Sequence, residues 1–236
     1  MKLPLACAQC MQEDIMNAMT GTIVGFNDDG RYEVTCQKGH SSITILQQQK
    51  YEILFEIGAY AIIDGYYREA VSSFSSALER YYEFFIKVIC ISKGVDMEKS
   101  LEAWKEVSKQ SERQLGAFIF IHLLETGSKP TLLKSKLINF RNEVIHKGKI
   151  PSRDEAVEYG QAVLDVIQPL IKKLRENHSK AIATAIAHHV FSTRHPSDDA
   201  LAVSTTYLTT ILSLSYGEST NSEVNLNEAI SKLRRW

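Results

Sequence analysis

The stretch Phe140-Arg141-Asn142-Glu143-Val144-Ile145-His146-Lys147-Gly148 concentrates the residue types with most chemical capacity in this chain. An arginine stays charged at any physiological pH and can grip a phosphate with two parallel N–H donors. A histidine moves a proton near neutrality. An amide next to the arginine can orient either group. Together they have the means to bind or cleave a phosphodiester without a metal. A second set lies near the N-terminus. Cys7-Ala-Gln-Cys10 and Cys36-Gln-Lys-Gly-His40 are a Cys-x2-Cys and a Cys-x3-His knuckle separated by 25 residues. Three thiolates and one imidazole are the soft donor set of a closed, tetrahedral, structural zinc site. Cys7, Cys10, Cys36 and His40 are therefore the expected ligands of one structural Zn2+. The competing readings are a disulfide or unligated thiols. A redox Cys-x2-Cys would leave the second knuckle without a role.

Both sets need elements to position them. Thr20–Phe26 and Arg31–Thr35 are short β-type runs joined by Asn27-Asp28-Asp29-Gly30, which reads as a hairpin turn, and Ser41–Leu46 can add a third strand. A segment of this size buries little apolar surface, so a metal staple makes physical sense. After Gln47-Gln48-Gln49-Lys50 the apolar period changes from 2 to 3.6. Helices are expected from Tyr51 to Ile63, from Tyr67 to about Ser92, from about Ser100 to Glu125 with an irregularity near Gly116, and from about Thr131 to Lys147. A capping box at Ser152-Arg153-Asp154-Glu155 opens a fifth, which Pro169 should kink. Farther on, Ala181–Val190 and Asp198–Ser215 are plausible helices, Gly217–Ser222 is a polar loop, and Asn225–Arg235 is a last amphipathic helix. The expected fold is mainly α: a helical bundle preceded by a small β zinc ribbon. The boundaries are 1–48 for the ribbon, 49–178 for the bundle and 179–236 for a C-terminal helical extension.

Helix geometry constrains the first set. Residues five apart point about 140° away from each other, whereas residues four apart share a face. Arg141 therefore does not share a face with His146, but Asn142 does. Convergence of Arg141 on His146 needs a long arginine reach, a distorted helix end, or a second copy of the motif across a two-fold axis.

Composition places few limits. The chain has 236 residues, 44% hydrophobic and 23% charged, with a net charge of −1. It is therefore not a polyanion binder as a whole. Yet from Lys129 to Arg153 seven basic residues face Glu143 alone, a local excess of +6 that suits a nucleic-acid backbone. No apolar run is long enough to span a membrane. The apolar stretch before Cys7 is too short for a lipoprotein signal, so a cytoplasmic setting is expected. That setting disfavours disulfides. His188, His189 and His195 read as packing or surface residues, since adjacent histidines on a helix diverge by about 100°.

The Arg141-Asn142…His146 pattern, closing a basic amphipathic helix, resembles the Arg–(four to six residues)–His signature of HEPN-domain ribonucleases. The upstream run Arg68-Glu69-Ala70-Val71-Ser72-Ser73-Phe74, continued by Ala77-Leu78-Glu79-Arg80-Tyr81-Tyr82-Glu83, is similar to the helix that leads HEPN bundles. The likeness covers about Tyr51 to Arg175. It implies a homodimer with both motifs in one cleft, RNA as substrate, and metal-independent endonuclease chemistry through the ribose 2′-hydroxyl. Arg141, Asn142 and His146 would be the catalytic residues, and the setting would be a toxin or antiviral (phage-defence) one, with a regulatory protein partner. The alternative is a non-catalytic RNA- or protein-binding module on the same fold. Gly65-Tyr66-Tyr67-Arg68-Glu69-Ala70-Val71 also resembles a tetratricopeptide repeat, but no second copy follows at the required period.

Overall fold

The computed structural model describes residues 1–13, 22–213 and 224–233. The fold is mainly α with a small β region, and the chain divides into two compact units. The expected loop Gly217–Ser222 lies outside the described residues.

The first unit takes residues 1–48 and Ile186–Leu208. Strand β1 (Lys2–Leu5) pairs antiparallel with β2 (Thr22–Gly25), and α1 (Ala8–Glu13) follows β1. Strands β3 (Arg31–Thr35) and β4 (Ser41–Leu46) are antiparallel, and β5 (Ala202–Thr206) adds to β4 in parallel. The order β3-β4-β5 makes β4 central, which is why Ser42 to Leu46 are buried on both faces. Apolar contacts come from Leu3, Leu5, Tyr32, Val34, Ile43 and Ile45, all buried.

Two expectations change here. The turn at Asn27–Gly30 forms, with Asn27 Oδ1 accepting from the Gly30 N–H at 3.0 Å and Gly30 at φ +71°. It does not close a hairpin, because β2 pairs with β1 and β3 with β4. Among the described residues, 198–213 do not form one helix. A 3-10 turn (Pro196–Ala200) leads into β5, whose Val203, Thr205 and Thr206 are β-branched. Asp198 fixes that turn. It accepts from the His195 N–H at 2.9 Å and pairs with Arg31 of β3, and its carboxylate is fully buried. The Arg31 guanidinium, then the His195 N–H, hold its pKa down at about 2.

The second unit takes Gln49–Ala185 and, among the described residues, 209–213 and 224–233. Helices α2 (Lys50–Ile63) and α3 (Tyr67–Ser92) form a hairpin around Tyr51, Phe55, Phe74 and Tyr81. A Cβ at Gly58 of α2 would lie 2.6 Å from the Phe74 ring, and one at Gly160 of α7 (Arg153–Thr193) would lie 2.6 Å from the same ring and from Leu226. Phe74 thus sits between two glycines that let α2 and α7 approach it. Helix α8 (Leu226–Lys232) is capped by Asn225, as its sequence implies.

The expected helix from Ser100 to Glu125 is two: α4 (Met97–Val107) and α5 (Ser111–Thr126). The break is at Ser108–Gln110, not at Gly116. Ser108 turns its hydroxyl onto the Lys105 carbonyl, and its own carbonyl accepts from Gln114 at 2.8 Å, so side chains replace the helical ladder there. Helix α6 begins at Ser135, four residues later than expected. In α7 the non-helical backbone is at His178 (φ −133°, ψ 30°), not at Pro169. No helix among the described residues is long and apolar enough to cross a membrane.

Candidate functional sites

The metal-ligand set is built by two tight local structures. Helix α1 starts between Cys7 and Cys10, with Met11 N–H donating to the Cys7 carbonyl at 3.0 Å. The second knuckle closes through Cys36 N–H to His40 O and Gly39 N–H to Cys36 O, both 2.9 Å, with Gly39 at φ +83°. The four candidate ligand atoms all lie within 4.8 Å of one another. Cys10 Sγ is 3.8 Å from Cys36 Sγ and 3.4 Å from His40 Nδ1, and Cys7 Sγ is 3.9 Å from His40 Nδ1. Two sulfurs bound at about 2.3 Å to one tetrahedral ion stand about 3.8 Å apart. The donor set therefore fits a single small cation. On the far side of the imidazole, His40 Nε2 faces Glu13 Oε1 at 3.8 Å, and Lys38 holds Glu13 at 3.4 Å. A carboxylate behind a ligating histidine sets its tautomer and raises its basicity. Burial, followed by hydrogen bonding to Cys7 and Cys36, pushes the Cys10 thiol up to about 11. Burial opposes ionisation of Cys36 too, but N–H donors of His40 and Lys38 bring its pKa down. Cation binding would expel these protons. Cys90 lies apart on α3, half-buried and free.

The second candidate is the end of α6 (Ser135–His146), where Val144 is fully buried and anchors the helix. Arg141 reaches across to α3. Its Nε donates to Ser75 Oγ at 2.9 Å, one terminal nitrogen donates to Glu79 Oε1 at 2.9 Å, and the other donates to Asn142 Oδ1 at 3.1 Å. Its side chain remains 23% exposed. His146 is exposed and makes no hydrogen bond or ion pair among the described residues. The helix is regular through His146, and Gly148 at φ +72° ends it. A distorted helix end therefore does not join Arg141 to His146. Arginine reach does not join them either, since Arg141 extends to Ser75 and Glu79. Asn142 is the link: it takes Arg141's hydrogen bond and shares His146's face.

Ser75 and Glu79 are site residues that motif reading missed. Their signal was available, an i, i+4 polar pair on the bundle's longest apolar stripe. The basic stretch also changes character. Glu79 pairs with Arg141, Glu155 and Glu143 with Lys149, and Glu158 with Lys136 at 3.9 Å. Lys129, Lys134 and Lys147 stay without ionic partners among the described residues. Three carboxylates from α3 and α7, Glu79, Glu155 and Glu158, thus compensate half of the local excess of +6 read along the chain.

Comparison of the chain with protein-family models, with curated proteins and with solved structures found no match.

Proposed function

We propose that this chain is a HEPN-like, metal-independent endoribonuclease that works as a homodimer, with a structural zinc ion held by Cys7, Cys10, Cys36 and His40. One observation carries the catalytic part. Three side chains fix the Arg141 guanidinium at the end of α6, while His146 stands exposed and unpartnered on the face of Asn142. Within one chain the arginine and histidine do not converge, and an isologous dimer is the commonest way to bring two such helix ends together.

In this reading His146 takes the proton of a ribose 2′-hydroxyl as its oxygen attacks phosphorus. The 5′-oxygen leaves, protonated by the partner copy's histidine. Arg141 stabilises charge on the five-coordinate phosphorus, and Asn142 orients it. The products are a 2′,3′-cyclic phosphate and a 5′-hydroxyl, so DNA is not a substrate. The zinc assignment rests on donor chemistry, since three thiolates with one imidazole select zinc over magnesium or calcium. The family likeness extends this reading to toxin or phage-defence biology, with a regulatory protein partner.

Glu79 favours a second reading, in which the Arg141–Glu79 pair is a structural clamp and the chain binds RNA or protein without cutting. Labelled RNA incubated in EDTA with wild type, His146→Ala and Arg141→Ala separates the two, with zinc content and folding checked afterwards. The expected result is cleavage by wild type only, with a loss of about 100-fold or more in either variant. Equal cleavage by all three proteins refutes the site. RNA retained but uncut by a folded dimer supports the second reading.

A further inference from the structure

A cavity of about 350 Å³ opens in the second unit between α3, α5 and α7. That size lies within the range of small-molecule pockets. Its floor is apolar: Phe85, Ile89, Leu170 and Leu174. Its polar side is built around His122, which is only 3% exposed. His122 Nδ1 lies 3.0 Å from the Ser128 carbonyl oxygen. A carbonyl only accepts, so Nδ1 carries the proton and Nε2 carries the lone pair. The ring's hydrogen-bond contacts, Ser128 O and Thr126 Oγ1 at 3.2 Å, both fall on Nδ1, and Nε2 has no hydrogen-bond partner among the described residues. Phe85 and Phe118 pack against the ring at centroid distances of 5.8 and 5.9 Å.

The other polar groups on this side are mixed: the Thr126 hydroxyl donates to the His122 carbonyl at 2.8 Å, and the fixed charge is negative. The Glu125 carboxylate, held by Lys93 at 2.7 Å and His178 at 2.9 Å, accepts only. Asn177 gives one Nδ2 hydrogen to the Lys173 carbonyl at 3.1 Å, which leaves its oxygen and a second N–H. Lys173 supplies a donor only from the exposed rim. An anion would meet the Glu125 carboxylate and the His122 Nε2 lone pair. A metal ion is no better suited. Among the described residues, the Cys7, Cys10, Cys36 and His40 group is the one with three or more ligand atoms close enough for an ion.

We infer that this cavity binds a small neutral aromatic molecule carrying an N–H or O–H, its ring on Phe85, Ile89, Leu170 and Leu174 and its donor on His122 Nε2. The site lies outside the Arg141–His146 motif, and its occupancy does not depend on RNA cleavage.

The test is titration of full-length protein with indole and with 1-methylindole, which keeps the apolar body and lacks the donor. Binding is followed by calorimetry and by the 15N resonance of His122 Nε2. The expected result is indole binding about tenfold tighter than 1-methylindole, the worth of one satisfied hydrogen bond, with a shift of the Nε2 resonance. His122→Phe should bind the two equally. The ligand pair makes the same comparison in wild type if that variant does not fold. No binding of either compound at millimolar concentration overturns the site, as does equal binding of both by wild type. Binding that leaves the Nε2 resonance unmoved places the molecule elsewhere and overturns it too.

Discussion

Glu56 gives the most quantitative prediction. It lies on α2, 3% exposed, and its carboxylate accepts from the Ile211 N–H at 3.0 Å. One hydrogen bond does not offset the burial, which raises its pKa from an ordinary 4.5 to about 7. That difference is worth about 3 kcal/mol. The sign follows from linkage. Below pH 4.5 the group is protonated both folded and unfolded, and it costs nothing. Between 4.5 and 7 the unfolded chain ionises first, so stability falls with rising pH. Above 7 the whole penalty is present. Glu56→Gln keeps an acceptor for Ile211 and removes the charge. It should match wild type near pH 4.5 and exceed it at pH 8 by about 2–3 kcal/mol, less whatever its buried NH2 loses by going unpaired. For a protein of this size that is a rise of about 5–10 °C in Tm. Thermal melts of both proteins at half-unit steps from pH 4.5 to 8.5 read it directly. A difference that does not grow between pH 5 and 7, or a less stable variant at pH 8, would refute the reasoning.

Two further outcomes are expected. On the proposed zinc assignment, Cys36→Ser should weaken zinc binding by more than about 100-fold, beyond the loss of an outer-shell partner. A colorimetric chelator competition measures it, and amide exchange in β3 and β4 should speed up in the same variant. Asp198→Asn should remove part of the acid sensitivity of the first unit. The wild-type carboxylate contributes stability above its ordinary 3.8, and this is lost as pH falls toward about 2, so the two proteins should converge at the acid end of a pH-dependent melt.

What could be read from the sequence was local. The boundaries of α3 follow from a stripe of apolar residues between Gly65 and Gly94. The end of α6 follows from Gly148, and the second knuckle from Gly39. The clustering of Cys7, Cys10, Cys36 and His40 was legible because the spacing of the two knuckles is itself the geometry. What failed to show was non-local. β1 has four residues, too few for a period, and its partner β2 lies beyond α1. β5 was misread because Leu201, Leu208, Ile211 and Leu212 also fit a helical period, whereas its strand character comes from pairing with β4. The clamp on Arg141 escaped for the same reason. Ser75 and Glu79 are more than 60 residues away, and only folding shows which cation they take. The His122 cavity follows from three helices meeting, and no motif encodes it.

The parallel pairing of β4 with β5 also sets a schedule for the chain's birth. Thr44 and Ser204 face each other across 160 residues. At about 5–20 residues per second, a ribosome takes roughly 10–30 s to deliver the second strand after the first. During that interval β4 presents an unpaired edge with buried-type side chains on both faces, the kind of template on which nascent chains misassociate. A cation captured early by the two knuckles would hold the β3–β4 hairpin and its surroundings in place while the edge waits. Supply of that cation during synthesis would then govern the yield of correctly folded protein as much as the stability of the finished one.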